Sequence, residues 1–353
     1  MTGLRLRARR RGDRGAVAAI TAVLIGSGVA LGMAALVVDV GNIYVERERL
    51  LSGADAAVLR AGQVCANDIA DCTVASVGDV ADRYARDNAA RGEADATVCG
   101  RGGTLPGCPA PSGRLDDCVR SAPGGGDYVE VHTNTLRPDG STVLPPIFAQ
   151  AVAGGFRGAE VRSCARATWG PPARTRALAM TISTCDWRRF TGDGAALPSA
   201  EQAIPLFDAS DPTACGVAGT DAANPGGFRW LAGADGKCRK PASVGSAYRA
   251  TTGESRPAGC PEELAALSDA SVALAVPIFN AVDGGGAYTV QGFAAFVVTG
   301  WHLPGSDRPS TTRSACDAIA TWCVFGYFTR AFVPGGGAVS GPDLGARIVA
   351  LIG

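Results

Sequence analysis

Arg14-Gly15-Ala16-Val17-Ala18 opens a stretch that passes through Val37-Val38-Asp39-Val40-Gly41 and continues to Gly53-Ala54-Asp55-Ala56-Ala57. Its reading decides the fold. Residues 16–38 carry no charge. As a single helix they would reach about 35 Å, enough for the hydrocarbon core of a bilayer. Before them stand Arg5, Arg7, Arg9, Arg10, Arg11 and Arg14 against Asp13 alone. Arginines massed beside an apolar run hold that end in the cytoplasm, so Arg9, Arg10, Arg11 and Arg14 are assigned to membrane orientation. The apolar run exceeds a signal-peptide core, and no clear small-x-small cleavage site follows it. The expectation is a retained single-pass anchor at 15–38, a basic cytoplasmic segment at 1–14, and an extracellular body.

After the span the pattern turns amphipathic. Ile43, Leu50, Leu51, Ala54, Val58 and Ala61 recur at three- and four-residue steps, with Glu46, Arg47, Glu48 and Arg49 mainly on the other side. The span should therefore run on into a long projecting helix. Gly28 and Gly32 form a G-x-x-x-G pair that would let two helices approach closely, and so a helix-mediated homo-oligomer. Asp39 and Asp55 are the candidate helix-interaction residues. The favoured reading puts Asp39 in interfacial water and Asp55 on a solvated helix face.

All twelve cysteines follow the span. An even set confined to one side of a membrane indicates bridges in an oxidising exterior. Three sequence-near pairs are candidates: Cys65 with Cys72, Cys238 with Cys260, and Cys316 with Cys323. A helix is expected at 74–91, capped by Thr73, then a Gly/Pro loop holding Cys99, Cys108 and Cys118. Residues 128–135 alternate as a strand and would pair with 141–144 across Pro138-Asp139-Gly140. A short helix at 145–153 and a strand at 160–169 follow, with a boundary at Pro171-Pro172. Beyond it, strands are expected at 177–183, 271–279, 288–299, 323–333 and 347–352, separated by long loops. The predicted class is α+β: a transmembrane helix continuing into an amphipathic helix, a helical stalk and small α/β module at 39–172, and a β-rich disulfide-containing domain at 173–353.

Chemistry-bearing patterns are sparse. The two histidines, His132 and His302, share no metal-ligand spacing, and neither a C-x-x-C nor a G-x-S-x-G occurs. No catalytic, cofactor-binding or metal-ligating residue is assigned, and no enzyme activity is expected. The basic tail abuts an apolar span, so its expected partner is the lipid bilayer and not nucleic acid.

The stretch resembles the TadG-like family of Flp (Tad) pilus-assembly proteins, through Arg14–Ala18, Val37–Gly41, Glu46-Arg47-Glu48-Arg49-Leu50-Leu51 and Gly53-Ala54-Asp55-Ala56-Ala57-Val58-Leu59-Arg60-Ala61. Ala167-Thr168-Trp169-Gly170, Gly292-Phe293-Ala294-Ala295-Phe296 and Gly326-Tyr327-Phe328-Thr329 are similar to actinobacterial members of that group. The resemblance implies an envelope-anchored structural or accessory protein of pilus assembly or adhesion, with other Tad-type assembly proteins as partners. Related pseudopilins carry glutamate at the fifth mature position; counted from Ala16 that position is Ile20. No Asp-x-Ser-x-Ser motif of a von Willebrand A-type domain is present. The alternative is an anchored extracellular hydrolase or carbohydrate-binding protein, which would require a concave site with convergent polar groups; His132 or His302 hydrogen-bonded to a serine and a carboxylate in a pocket would favour it.

Overall fold

The computed structural model describes residues 14–26, 28–110, 118, 120–151, 155–206, 226–251, 255–319, 322–335 and 338–353. Arg9, Arg10, Arg11 and Cys215 lie outside them. Arg14 opens the first helix, α1 (Arg14–Gly26), which is followed by α2 (Val29–Asn67). The expected uninterrupted span is thus divided. Gly28 takes φ 75°, and its N–H returns to the Ile25 carbonyl at 3.1 Å. Glycine adopts this left-handed backbone without the Cβ penalty of other residues. The G-x-x-x-G pair is consequently not one face of one helix: Gly28 sits in the break, and Gly32 is buried on α2.

With 39 residues, α2 is long and apolar enough to cross a membrane, by length and composition. It spans about 58 Å. Its N-terminal part exposes Val29, Leu31, Met33, Leu36, Val37 and Val38. Its C-terminal part is core, with Leu50, Ala54, Ala57, Val58 and Ala61 fully buried. The buried stripe passes through Asp39, Glu46, Leu50 and Gly53. Glu46 therefore lies on the body side, where the hydrophobic pattern alone had put it opposite.

Against α2 packs α3 (Val74–Asn88), burying Val77, Ala81 and Ala85. The Thr73 hydroxyl accepts the Ser76 N–H at 3.1 Å and caps its start. Gly53 is where the two helices meet: a Cβ there would lie 3.0 Å from the Tyr84 carbonyl oxygen and 3.2 Å from Ala85 Cα. Both are helix backbone and cannot move aside cheaply. Gly53→Leu should therefore destabilise the body by about 3 kcal/mol through overpacking, despite leucine's better helix propensity. Urea unfolding checks this, and an unchanged midpoint would contradict the close packing.

The strands β1 (Ala94–Arg101), β2 (Tyr128–Thr135), β3 (Val143–Leu144), β4 (Ala159–Glu160) and β5 (Arg162–Gly170) follow. Residues 143–144 do not pair with β2, as the turn had suggested; they pair with β4. Instead β2 lies between β1 and β5, antiparallel to both. The strand β1 occupies part of what reads as a Cys-bearing loop, because its alternation is hidden beside glycines. Of the expected helix at 145–153, the described residues 145–151 form one 3-10 turn, Ala149–Ala151, and residues 152–153 lie outside the described residues.

The second half contributes β6 (Arg174–Leu178), β7 (Met180–Ser183), α4 (Thr184–Thr191), β8 (Gln202–Pro205), β9 (Phe228–Trp230), β10 (Arg239–Ser243), β11 (Ala247–Arg249), α5 (Cys260–Ala270), β12 (Ala273–Val282), β13 (Ala287–Leu303), β14 (Ser306–Arg308), α6 (Arg313–Ile319), β15 (Cys323–Thr329), β16 (Ala331–Phe332) and β17 (Ala346–Leu351). A sheet of order β8-β15-β13-β12-β7-β9 is built on β13, whose flanks also pair β11 and β14. Trp187, Phe228, Trp230, Phe296 and Phe328 fill the core on one side of it. Aromatics concentrated in this half are thus packing residues.

One strand crosses the expected boundary. Residues 346–351 were assigned to the second half, yet β17 pairs antiparallel with β5 and completes the first sheet, β1-β2-β5-β17-β16. Its Ile348 packs with Ala177, Phe293 and Val333 in a core of the second half, while its Val349 packs against the core of α2 and the first sheet. Thus β17 links the sheet before Pro171-Pro172 to a core built after it.

Candidate functional site

The site is where α2 leaves its exposed apolar part and meets the body. Asp39 is the first charged residue after the uncharged run, yet only 4% of it is exposed. Its Oδ1 accepts the N–H groups of Ile147 at 2.7 Å and Phe148 at 3.2 Å. Its Oδ2 accepts Phe148 N–H at 3.0 Å and the N–H of Ala149. The reading of Asp39 as an interfacial residue in water is corrected accordingly. A carboxylate leaves water at low cost only when donors replace its hydration, and three successive backbone N–H groups do so here.

The local sequence explains why those donors are free. Pro145 and Pro146 have no N–H and stop the chain from joining a regular ladder there. Ile147, Phe148 and Ala149 supply the first three N–H groups after them, at the start of the Ala149–Ala151 turn. Such a leading set has no partner within its own turn. Nothing in the one-dimensional pattern links residue 39 to residues 147–149; only the double proline followed by a turn hinted at unpaired donors.

Around this clamp the surface divides. On α2, Leu36, Val37, Val38 and Val40 are exposed. On the loop, so are Ile147 and Phe148. On the body side, a cleft of about 660 Å³ is lined by Asn42, Arg49, Glu93, Arg137, Pro145 and Ile147. Its cations are paired: Arg49 with buried Glu46 at 3.6 Å, and Arg137 with Glu93 at 3.7 Å.

Asp55 stands sixteen residues further along α2, so the two candidate aspartates are not brought together. It is half-buried and makes no side-chain hydrogen bond or ion pair among the described residues. Arg60 turns to Gln63 instead, at 3.2 Å.

The outer face of the first sheet carries a second polar cluster that the sequence did not announce. The register sets Cys99, Glu130 and Arg166 side by side across β1, β2 and β5. Arg166 Nε donates to Glu130 Oε1 at 2.6 Å, and His132 Nε2 lies 3.2 Å from Glu130 Oε2. Burial pushes the Glu130 carboxyl up, but hydrogen bonds and charge from His132 and Arg166 outweigh it and hold the group below the usual carboxylate range. Cys99, Glu130 and His132 approach one another as metal ligands would, as do Cys118, Glu130 and Cys164. Those sulfurs are spent in bridges, Cys99–Cys108 and Cys118–Cys164. A disulfide sulfur is not the thiolate that binds metal.

The three sequence-near bridges are present: Cys65–Cys72, Cys238–Cys260 and Cys316–Cys323. Cys185 is disulfide-bonded as well. Peptide mapping without reduction should recover the Cys65–Cys72 and Cys99–Cys108 links; free thiols at those positions would contradict the fold. His302 lies 3.4 Å from Asp307 and against the Trp322 ring. Among the described residues neither histidine is hydrogen-bonded to a serine hydroxyl.

No curated protein and no solved structure matches this chain. The helix that carries the apolar surface, the Asp39 clamp and the core stripe is nevertheless a recognisable unit: residues 15–64 match the Tad family model, Flp pilus-assembly TadE/G-like.

Proposed function

We propose that this protein is a single-pass structural or accessory component of Flp (Tad-type) pilus assembly or surface adhesion, with its N-terminus in the cytoplasm and its body outside the cell. The observation that carries the reading is the match of residues 15–64 to a TadE/G-like family, on a helix that is both anchor and core. Because α2 buries Leu50, Ala54 and Val58 in the body after its exposed apolar part, no flexible linker intervenes. Position and load at the membrane would pass directly into the body. The chain's role is scaffolding and not catalysis. The arginine-rich start supports the orientation, and bridges throughout the body suit an oxidising exterior. Other Tad-type assembly proteins are the expected partners.

Deletion of the coding region tests the role: loss of pili or of surface attachment is expected, and intact pili with normal attachment would overturn it. Orientation has its own test, since the chain has only two lysines, Lys237 and Lys240. An amine reagent that does not cross membranes should modify exposed Lys237 on intact cells; modification only after lysis would reverse the topology.

A further inference from the structure

We propose that the loop after Pro146 is a second membrane contact, its Ile147 and Phe148 side chains entering the interfacial layer of the bilayer beside the helix. The inference rests on the anchored reading above and extends it to a part of the body that carries no membrane signature in sequence.

Depth is fixed by Asp39. It directly follows the uncharged run of residues 16–38, and so stands where that run gives way to polar surroundings. Its carboxylate holds the Ile147 N–H at 2.7 Å and the Phe148 N–H at 3.0 Å. The loop backbone is therefore at the level of the helix's exit. At that level Ile147 is 56% exposed and Phe148 is 51% exposed. On α2 beside them, Leu36, Val37, Val38 and Val40 are exposed as well, so the loop continues an apolar surface that begins on the span.

The chemistry of the loop suits an interface. Its polar backbone groups are the costly part of any non-helical segment near lipid. Here Pro145 and Pro146 lack N–H groups, and Asp39 satisfies the next three. What remains outward is two large apolar side chains, of the kind that anchors a monotopic segment at the acyl boundary. The occupant inferred is lipid, by continuity with the span; a second copy of the chain is the competing occupant.

The full chain in nanodiscs with brominated acyl chains decides between them. Phe148→Trp places a reporter on an exposed site, and Val23→Trp places one within the apolar run. Of the five native tryptophans, Trp169, Trp187, Trp230 and Trp301 are buried in the body and Trp322 is partly buried; together they supply the background. Phe148→Trp should lose most of its added emission to bromine near the headgroup end of the chains, and Val23→Trp should lose more to bromine near their tips. If Val23→Trp is quenched and Phe148→Trp is not, the anchor stands and the loop contact is wrong. If neither is quenched, the anchored reading itself fails. Unquenched but concentration-dependent blue-shifted emission from Phe148→Trp would overturn the lipid assignment in favour of a second copy.

Discussion

Asp39→Ala should release the body from the exit of its helix. Three N–H groups, of Ile147, Phe148 and Ala149, lose a charged acceptor at once. A hydrogen bond to a charged group contributes about 1.5–3 kcal/mol, and the three share one carboxylate, so a local loss of about 3 kcal/mol is expected. Native-state hydrogen exchange reads it directly. Those three amides should exchange roughly a hundredfold faster, the equivalent of about 3 kcal/mol, while β12 and β13 keep their protection. Asp39→Asn should recover little, because its amide presents donors toward donors and leaves one oxygen for three N–H groups. Unchanged exchange at Ile147–Ala149 in Asp39→Ala would show that the clamp does not hold the loop. If the anchored scaffold is correct, the same variant should also impair surface attachment while the body stays folded.

Arg166→Met should be the most destabilising single change on the sheet. It strands Glu130, whose side chain is 6% exposed, beside its remaining partner His132. Removing one member of a buried pair costs about 3–5 kcal/mol, because the other charge is left uncompensated. The double variant Glu130→Leu with Arg166→Met should recover most of that loss, since apolar replacement of both partners removes the desolvation cost together with the attraction. A double variant no better than the single would place the damage in lost packing of the arginine stem. The pH dependence gives an independent reading. In the native protein the folded Glu130 pKa is depressed. Its contribution is therefore present above the ordinary carboxylate range and is lost as pH falls through the folded value. In Arg166→Met the balance tips toward burial, which favours the neutral acid. The deficit of that variant should be largest near neutral pH and shrink on acidification. A deficit independent of pH would mean that Glu130 is not the group left unpaired.

These two sites differ in how far they could be read before folding. Asp39 was identifiable as a residue of interest, since a charge closing an uncharged run is conspicuous. Its partner was not, because residues 147–149 lie more than a hundred positions away and only their backbone is used. Glu130 and Arg166 were invisible individually. Each sits in an alternating strand, and they become a pair only because β2 and β5 adopt the register that places them opposite. The sequence-near bridges were legible because a short separation restricts the geometry. Cys118–Cys164 was not, for its two cysteines stand 46 residues apart and no local pattern pairs them.

By itself the sequence determined the apolar run, its charge asymmetry, the amphipathic continuation and the strand at 128–135, since each follows from local composition and periodicity. Tertiary structure alone decided three things. It broke the span at Gly28, where a left-handed residue is available without steric cost. It sent β17 back to the first sheet, a pairing that depends on strand-edge geometry and on packing Ile348 and Val349 against different cores, and not on the strand's own pattern. And it took Asp39 out of water, because the free energy of a buried carboxylate is set by donors that distant chain segments bring to it.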